Sequence, residues 1–325
     1  MNRSGDTPPQ LSVVIVVGDE GTRQGLVRTM QSLRAQASFP VMEVLIIDCS
    51  APGTARLKGS DHPNVRTIKL PRDGTTMAQA RAEGVRQAHA PIVAFLDEHS
   101  FAMAGWAEAL IEAHKGPWAG VGGEIYNLSS AVGGADAIYL MGHGRWAPPA
   151  QRGEVDLLPS HDTCYKREVL LQYEPDLAML LMAEPVLMWK LRQDGHRLFL
   201  EPDVKSLHGY TVNALTLVAF YAWNRCFGAA RSKVFLWSPA KRMAHILLAP
   251  FVPWARALSL LSRLWNSSPN RLWVFFTGLP FILLAQYAAA FGEAAGMAAG
   301  VGKAEILFTQ THLRGLRLRP ELAAD

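Results

Sequence analysis

The chain has 325 residues, room for one large or two modest domains, with 49% hydrophobic residues and a formal net charge of +4. That charge averages two unlike halves: from residue 211 onward twelve Lys and Arg stand against four acids, whereas residues 1–210 hold twenty basic and twenty-four acidic side chains. A half that is both basic and apolar points to an anionic membrane surface and away from nucleic acid, because its Trp and Phe sit in continuous apolar runs and not along a basic groove. Three cysteines, Cys49, Cys164 and Cys226, far apart and without CxxC spacing, suggest a reducing compartment and no zinc site. Residues 1–10 are polar with two prolines and lack the apolar core of a secretory signal, so residues 1–210 are expected in the cytosol.

In chain order, residues 11–17 form a β-branched run that closes at Gly18-Asp19-Glu20, a strand followed by a polar turn. Leu26, Val27, Met30 and Leu33 recur at helical spacing, which predicts a helix over 22–36. A second strand over 41–47 ends at Asp48-Cys49-Ser50, and a third, over 64–70, ends at Pro71-Arg72-Asp73-Gly74. Met77, Ala80, Gly84, Val85 and Ala88 trace the next helix, with small residues that permit close approach to a sheet. Then Pro91-Ile92-Val93-Ala94-Phe95-Leu96, a strand buried on both faces, ends abruptly in Asp97-Glu98-His99-Ser100. The alternation predicts an α/β, doubly wound, mostly parallel sheet. Ligands of such sheets bind outside the carboxyl ends of the strands, so Asp19, Glu20, Asp48, Asp97, Glu98 and His99 are expected to line one crevice. A nicotinamide-binding domain needs Gly-x-Gly-x-x-Gly after a strand, and Gly18, Gly21 and Gly25 have the wrong spacing. Without a glycine cradle, a divalent cation is the other device for holding a diphosphate.

A Val-rich strand with a following acid, a strand ending Ile46-Ile47-Asp48, an Ala80-Arg81-x-x-Gly84 helix and a strand ending Leu96-Asp97-x-His99 together resemble the family 2 glycosyltransferases. The resemblance covers residues 11–210 and implies a GT-A fold. It also implies an enzyme that moves a sugar from a nucleotide-sugar donor to a hydroxyl, with Asp48 on the base, Arg81 near the nucleotide, and Asp97 with His99 on a divalent metal. Departures from the family pattern are Cys49 for a second Asp, Ala82 for Asn, and His99 for the last Asp of the metal motif. Imidazole suits manganese better than magnesium, so Mn²⁺ is favoured over Mg²⁺. For Arg81 a plain surface position stays open, as does a solvated strand end for Asp48.

Residues 105–114 read as a helix, 120–127 as a strand, and the Gly- and Pro-rich 128–158 as a loop or lid. In the stretch 161–168, Asp162 takes a position where the family has Asn. Ala183-Glu184-Pro185-Val186-Leu187-Met188-Trp189-Lys190-Leu191 resembles the family helix that supplies the general base, which aligns Glu184 with that base; helix capping is the alternative. Residues 195–200 and 201–208 read as a closing strand and its extension, and His208 matches a further metal ligand of some family members or is a hydrogen-bonded histidine.

From 211 to 325 the expectation is a membrane-associated helical region following a catalytic domain over 1–210. Residues 245–261 are apolar but interrupted by Pro250, Pro253 and Arg256, which argues for an interfacial or re-entrant segment; 272–291 has no charge and is long enough to cross a bilayer. A hairpin would put Arg263 and Arg271 in the far loop and keep Lys241, Arg242, Arg314, Arg317 and Arg319 on the cytosolic side. The processive Gln-x-x-Arg-Trp motif is absent, so a polymerising synthase is not expected. The sequence thus reads as an inverting transferase at the cytoplasmic face of the membrane, in cell-envelope polysaccharide or glycolipid synthesis, with a lipid-linked or saccharide acceptor and no nucleic-acid partner. A non-catalytic membrane-tethered scaffold of the same fold and a nucleotidyltransferase are the rivals.

Overall fold

The structure is a computed structural model that describes residues 8–18, 20–54, 62–129, 134–160, 162–210, 212–213 and 215–315. Asp19, Arg317 and Arg319 lie outside the described residues, as do the side chains of Glu20 and Arg314. The chain divides into two compact units: Met1–Tyr126, Trp146–Leu181 and Met188–His208 form the first, and Asn127–Arg145, Met182–Leu187 and Gly209–Asp325 the second.

The first unit is built on one sheet. Strand β1 (Leu11–Val17) is buried on both faces, pairs in parallel with β2 (Met42–Asp48) from Leu11↔Met42 to Val17↔Asp48, and on its other side with β4 (Ile92–Phe95). Helix α1 (Glu20–Arg34) lays Leu26, Met30 and Leu33 on β1 and β2, joining Val13, Ile15, Val44 and Ile46 in the core. Strand β3 (Val65–Lys69) continues the parallel run beyond β2, and its alternating burial is that of an edge. Helix α2 (Met77–Gln87) starts with a capping box between Thr76 and Gln79 and crosses the sheet at Gly84, where a Cβ would stand 2.4 Å from Val14 Cγ1. The small residues at 80, 82 and 84 therefore set how close this helix comes.

Beyond β4 the sheet reverses. Short β5 (Ser100–Ala102), helix α3 (Trp106–Ala113) and β6 (Trp118–Asn127) follow, and later β8 (Thr163–Lys166) fills the free edge of β4 in antiparallel register, Ala94↔Cys164, and pairs antiparallel with β6. The strand order is β3-β2-β1-β4-β8-β6-β9-β5, with short β7 (Gly153–Val155) on β9 (Arg197–His208). The expected parallel sheet accounts for its first four strands; the rest is mixed, because the chain returns to β4 from the opposite direction. The closing strand and its extension expected over 195–208 are one continuous strand that starts at Arg197. Between β8 and β9 lie α5 (Arg167–Leu171), α6 (Leu177–Met182) and α7 (Glu184–Gln193).

The expected loop at 128–158 instead carries α4 (Ala135–Gly142) as well as β7. Its glycines and prolines mark the ends of these pieces: Gly134 takes a left-handed φ of 83° to open α4, which buries Ala137, Tyr139 and Leu140. In the second unit follow α8 (Thr216–Val234), α9 (Pro239–Leu248), α10 (Val252–Ser267), α11 (Leu272–Ala299) and α12 (Ala304–Gly315). Pro250 and Pro253 sit in the first turns of a one-turn 3₁₀ helix (Ala249–Phe251) and of α10, where a missing N–H costs nothing. Helices α8 and α11 meet backbone to backbone, since a Cβ at Gly292 would lie 2.2 Å from Tyr221 O and one at Gly228 equally close to Glu293 O. Glu293 holds Arg231 at 3.0 Å and Arg256 at 2.7 Å, tying α8, α10 and α11 together.

Gly84→Ala should lower the unfolding temperature by several degrees, since overpacking against Val14 costs about 1–3 kcal/mol; a neutral result in thermal unfolding would contradict the close approach. Burial, with Lys166 nearby, pushes the His114 pKa down from 6.5 to about 4. The unfolded chain therefore binds a proton there between these values and the folded chain does not. Stability from this group is complete above pH 6.5 and falls as pH drops toward 4, by at most about 3 kcal/mol. His114→Asn should flatten that part of a stability-versus-pH curve.

Candidate functional site

Parallel pairing brings the ends of β1, β2 and β4 to one edge of the sheet, and the polar residues that follow β4 are not solvated there. Leu96 N–H donates to Val14 O at 3.2 Å, extending the ladder one residue, and Ser100 N–H closes a turn on Asp97 O at 3.0 Å. Asp97 and Glu98 are only 4% and 2% exposed. Arg81, one turn into α2, reaches Asp97 Oδ1 at 2.8 Å and is itself 5% exposed, with its guanidinium 5.9 Å from the Phe95 ring. The surface reading of Arg81 is thereby corrected: the helix that Gly84 lets close onto β1 aims this side chain inward.

His99 and His208 come together because Ser100 of β5 pairs with His208 of β9. Their ring centroids are 4.7 Å apart in an edge-on arrangement. His208 Nδ1 is 2.7 Å from Ser100 Oγ and 3.3 Å from Asp162 Oδ2, contacts that fix the ring's orientation. Asp162, whose contact the sequence does not indicate, immediately precedes β8; because β8 runs antiparallel to β4, its beginning falls at the edge where β4 ends. Burial disfavours charge on His99, yet Glu98 Oε1 at 3.3 Å, with Asp97 and Asp162 beyond, outweighs it and raises the pKa to about 9.

Asp48 closes β2 two strands away. Burial resists its ionisation, but its Oδ1 accepts from Ser50 N–H at 2.9 Å and lies 3.3 Å from Lys69 Nζ, and together these hold its pKa below the usual carboxylate range. Lys69, directly opposite Asp48 in the β2–β3 register, also donates to Ser50 Oγ and Ser50 O. No sequence motif singles out Lys69; only the register reveals it. Cys49 is buried and its thiol is pushed up to about 11, by burial and by Asp48, so it stays protonated. Glu20 opens α1, and Glu184 is the first residue of α7, 1% exposed, within the second unit.

Asp97, Glu98 and Asp162 put three carboxylates among buried groups that include a single guanidinium, Arg81, and Glu98 Oε2 has no hydrogen-bond partner among the described residues. An acid-rich pocket with two imidazoles beside a carboxylate is a donor set suited to a first-row divalent cation, so the residues present fit such a group.

Residues 12–163 match the family described as Glycosyl transferase family 2. No curated protein matches the chain at a significant level. Among solved structures, the mannosyltransferase PcManGT from Pyrobaculum calidifontis, in complex with GDP-Man and Mn²⁺, aligns over 91% of this chain and 88% of its own, with a TM-score of 0.52 and 18% identity. GalNAc-T7 with UDP, GalNAc and Mn²⁺ aligns over 63% of this chain, which spans 44% of its length, with a TM-score of 0.47 and 16% identity. At 18% identity the likeness to the Pyrobaculum structure is one of fold, GT-A.

Removing Arg81 takes from the buried Asp97 the guanidinium that meets its Oδ1 at 2.8 Å. Arg81→Met should therefore cost about 3–5 kcal/mol of stability, measured by chemical unfolding; a loss below about 1 kcal/mol would mean that the pair is solvated.

Proposed function

We propose that the chain, of which residues 12–163 match the family 2 glycosyltransferases, transfers a sugar from a nucleotide-sugar donor to a hydroxyl, inverting the anomeric carbon. The observation that carries this reading is the buried cluster of Asp97, His99, His208 and Asp162 beyond β4 and at the end of β9. It supports a divalent-cation site where a donor diphosphate is expected, with Asp97, His99 and His208 as the ligands. Imidazole donors favour Mn²⁺ over Mg²⁺, and the Pyrobaculum neighbour of the same fold was solved with Mn²⁺ and a sugar nucleotide. When bound, the cation supplies positive charge against the departing diphosphate.

The remaining roles belong to the chain itself. Asp48, ionised and held by Ser50 and Lys69, accepts hydrogen bonds from the nucleotide base. Arg81 keeps Asp97 in one rotamer and adds positive charge on the nucleotide side. Asp19, Glu20 and Glu98 complete the donor side. Asp162 and Ser100 orient His208. Glu184 removes the proton of the acceptor hydroxyl as its oxygen attacks the face opposite the leaving group; Pro185 at the second position of α7 leaves no backbone N–H to compete for the carboxylate at that point.

The acceptor is read as lipid-linked or saccharide and the location as the cytoplasmic face of a membrane. Supporting this, Pro239–Asn266 and Pro269–Ala299 are long and apolar enough to enter a bilayer and are mostly unburied.

Asp97→Ala should abolish Mn²⁺-dependent binding of a nucleoside diphosphate in titration calorimetry; binding unaffected by either chelator or mutation would remove the site. Glu184→Gln should retain that binding while transfer falls at least about 100-fold, and full turnover would sink the base assignment. After chelation, Mn²⁺ should restore activity at lower concentration than Mg²⁺.

A further inference from the structure

We propose that helices α9 to α11 lie in the plane of one leaflet of an anionic membrane, as a one-sided docking surface, and do not cross the bilayer. The inference rests on the membrane association proposed above and concerns how the hairpin meets the lipid.

Met243, Leu247, Phe251, Trp254, Leu258 and Trp265 are each half or more exposed. Their spacing of four, four, three, four and seven residues makes one helical stripe through α9, the 3₁₀ turn and α10. On α10 the opposite face, with Ala257, Leu260 and Leu264, is buried. Helix α11 repeats the pattern, with Trp273, Phe276, Leu284 and Phe291 outward and Phe275, Ile282, Ala285 and Ala289 inward. Three of the outward residues are Trp, the side chain that prefers the headgroup boundary. Lys241 and Arg242 lie in the first turn of α9, within a region where basic residues outnumber acids three to one, which matches a negatively charged surface.

What argues against crossing is the set of elements that hold the two ends of α11. At its start, the Arg271 guanidinium sits 5.5 Å from the Tyr139 ring of α4, and a Cβ at Gly278 would stand 3.1 Å from Ala137 Cβ. At its other end, Gly292 and Gly296 lie against Tyr221 and Arg225 of α8. Both partners are on short tethers. Helix α4 is linked to the end of β6 by residues 128–134 alone, at most about 29 Å of extended chain, less than the ~30 Å hydrocarbon core. Those flanks are polar as well: Asn127 donates to Asp136 at 2.6 Å, and Tyr210, two residues past β9, bonds His143 at the end of α4 at 2.6 Å. An upright α11 would draw Asn127, Asp136 and Arg145 through hydrocarbon, which excludes such groups. Lying flat, α11 keeps both ends beside elements that stay in water.

The test uses sealed membrane vesicles of both orientations holding the full chain, with Asn270→Cys in the turn between α10 and α11 and Glu112→Cys on exposed α3 as reporter. Cys49, Cys164 and Cys226 are buried, so the background is low. An impermeant maleimide should label both sites from the same face. Labelling of Asn270→Cys from the opposite face, or from neither, overturns the in-plane arrangement while leaving membrane association intact; recovery of all the protein in the soluble fraction overturns that association itself. Phe251→Glu and Trp265→Glu alter exposed positions and should leave the unfolding temperature unchanged while cutting partition onto phosphatidylglycerol vesicles at least tenfold. Unchanged partition would refute the surface.

Discussion

Burying acids is expensive, and the end of β4 buries two in succession with a third facing them from the start of β8. Much of the first unit serves to make that tolerable. The capping box at Thr76 and the glycine at position 84 bring α2 close to β1, and the closeness allows Arg81 to reach Asp97. The β5–β9 pairing sets His208 beside His99, and Glu98 Oε1 lies 3.3 Å from His99 Nδ1. Charge is balanced by geometry contributed from four separate elements, so the cluster exists only in the folded chain.

The first half of the sheet was legible because parallel strands buried on both faces must be apolar throughout, and β1, β2 and β4 are. Asp97 and His99 could be named from their place after an apolar strand, and Arg81 and His208 from the family resemblance. Lys69 and the partner of Asp162 could not, because their places depend on strand register and on a reversal of chain direction, which local pattern does not encode. Helix α4 escaped for a different reason. Its eight residues are too few for a periodic signal, and the glycines and prolines around it dominate the composition.

In the second unit, apolar length was easily seen and its use was not. A run of uncharged residues reads the same whether a helix stands across a bilayer, lies on one, or packs against protein. The distinguishing facts are the one-sided exposure along α9 to α11 and the identity of the neighbours at each end of α11, both products of tertiary packing. Glu293, the acid that joins Arg231 and Arg256, adds a polar tie where a simple span would have none.

The change of direction at β4 reaches further than topology. An all-parallel sheet equips its binding edge only with residues that follow strands. Here β8 runs the other way, so the edge also receives a residue that precedes a strand, Asp162. The pocket is thus written in both chain directions. A motif search that scans for acids after apolar runs will find its near wall and pass over its far one, and insertions on the amino-terminal side of β8 bear on chemistry as directly as those after β4.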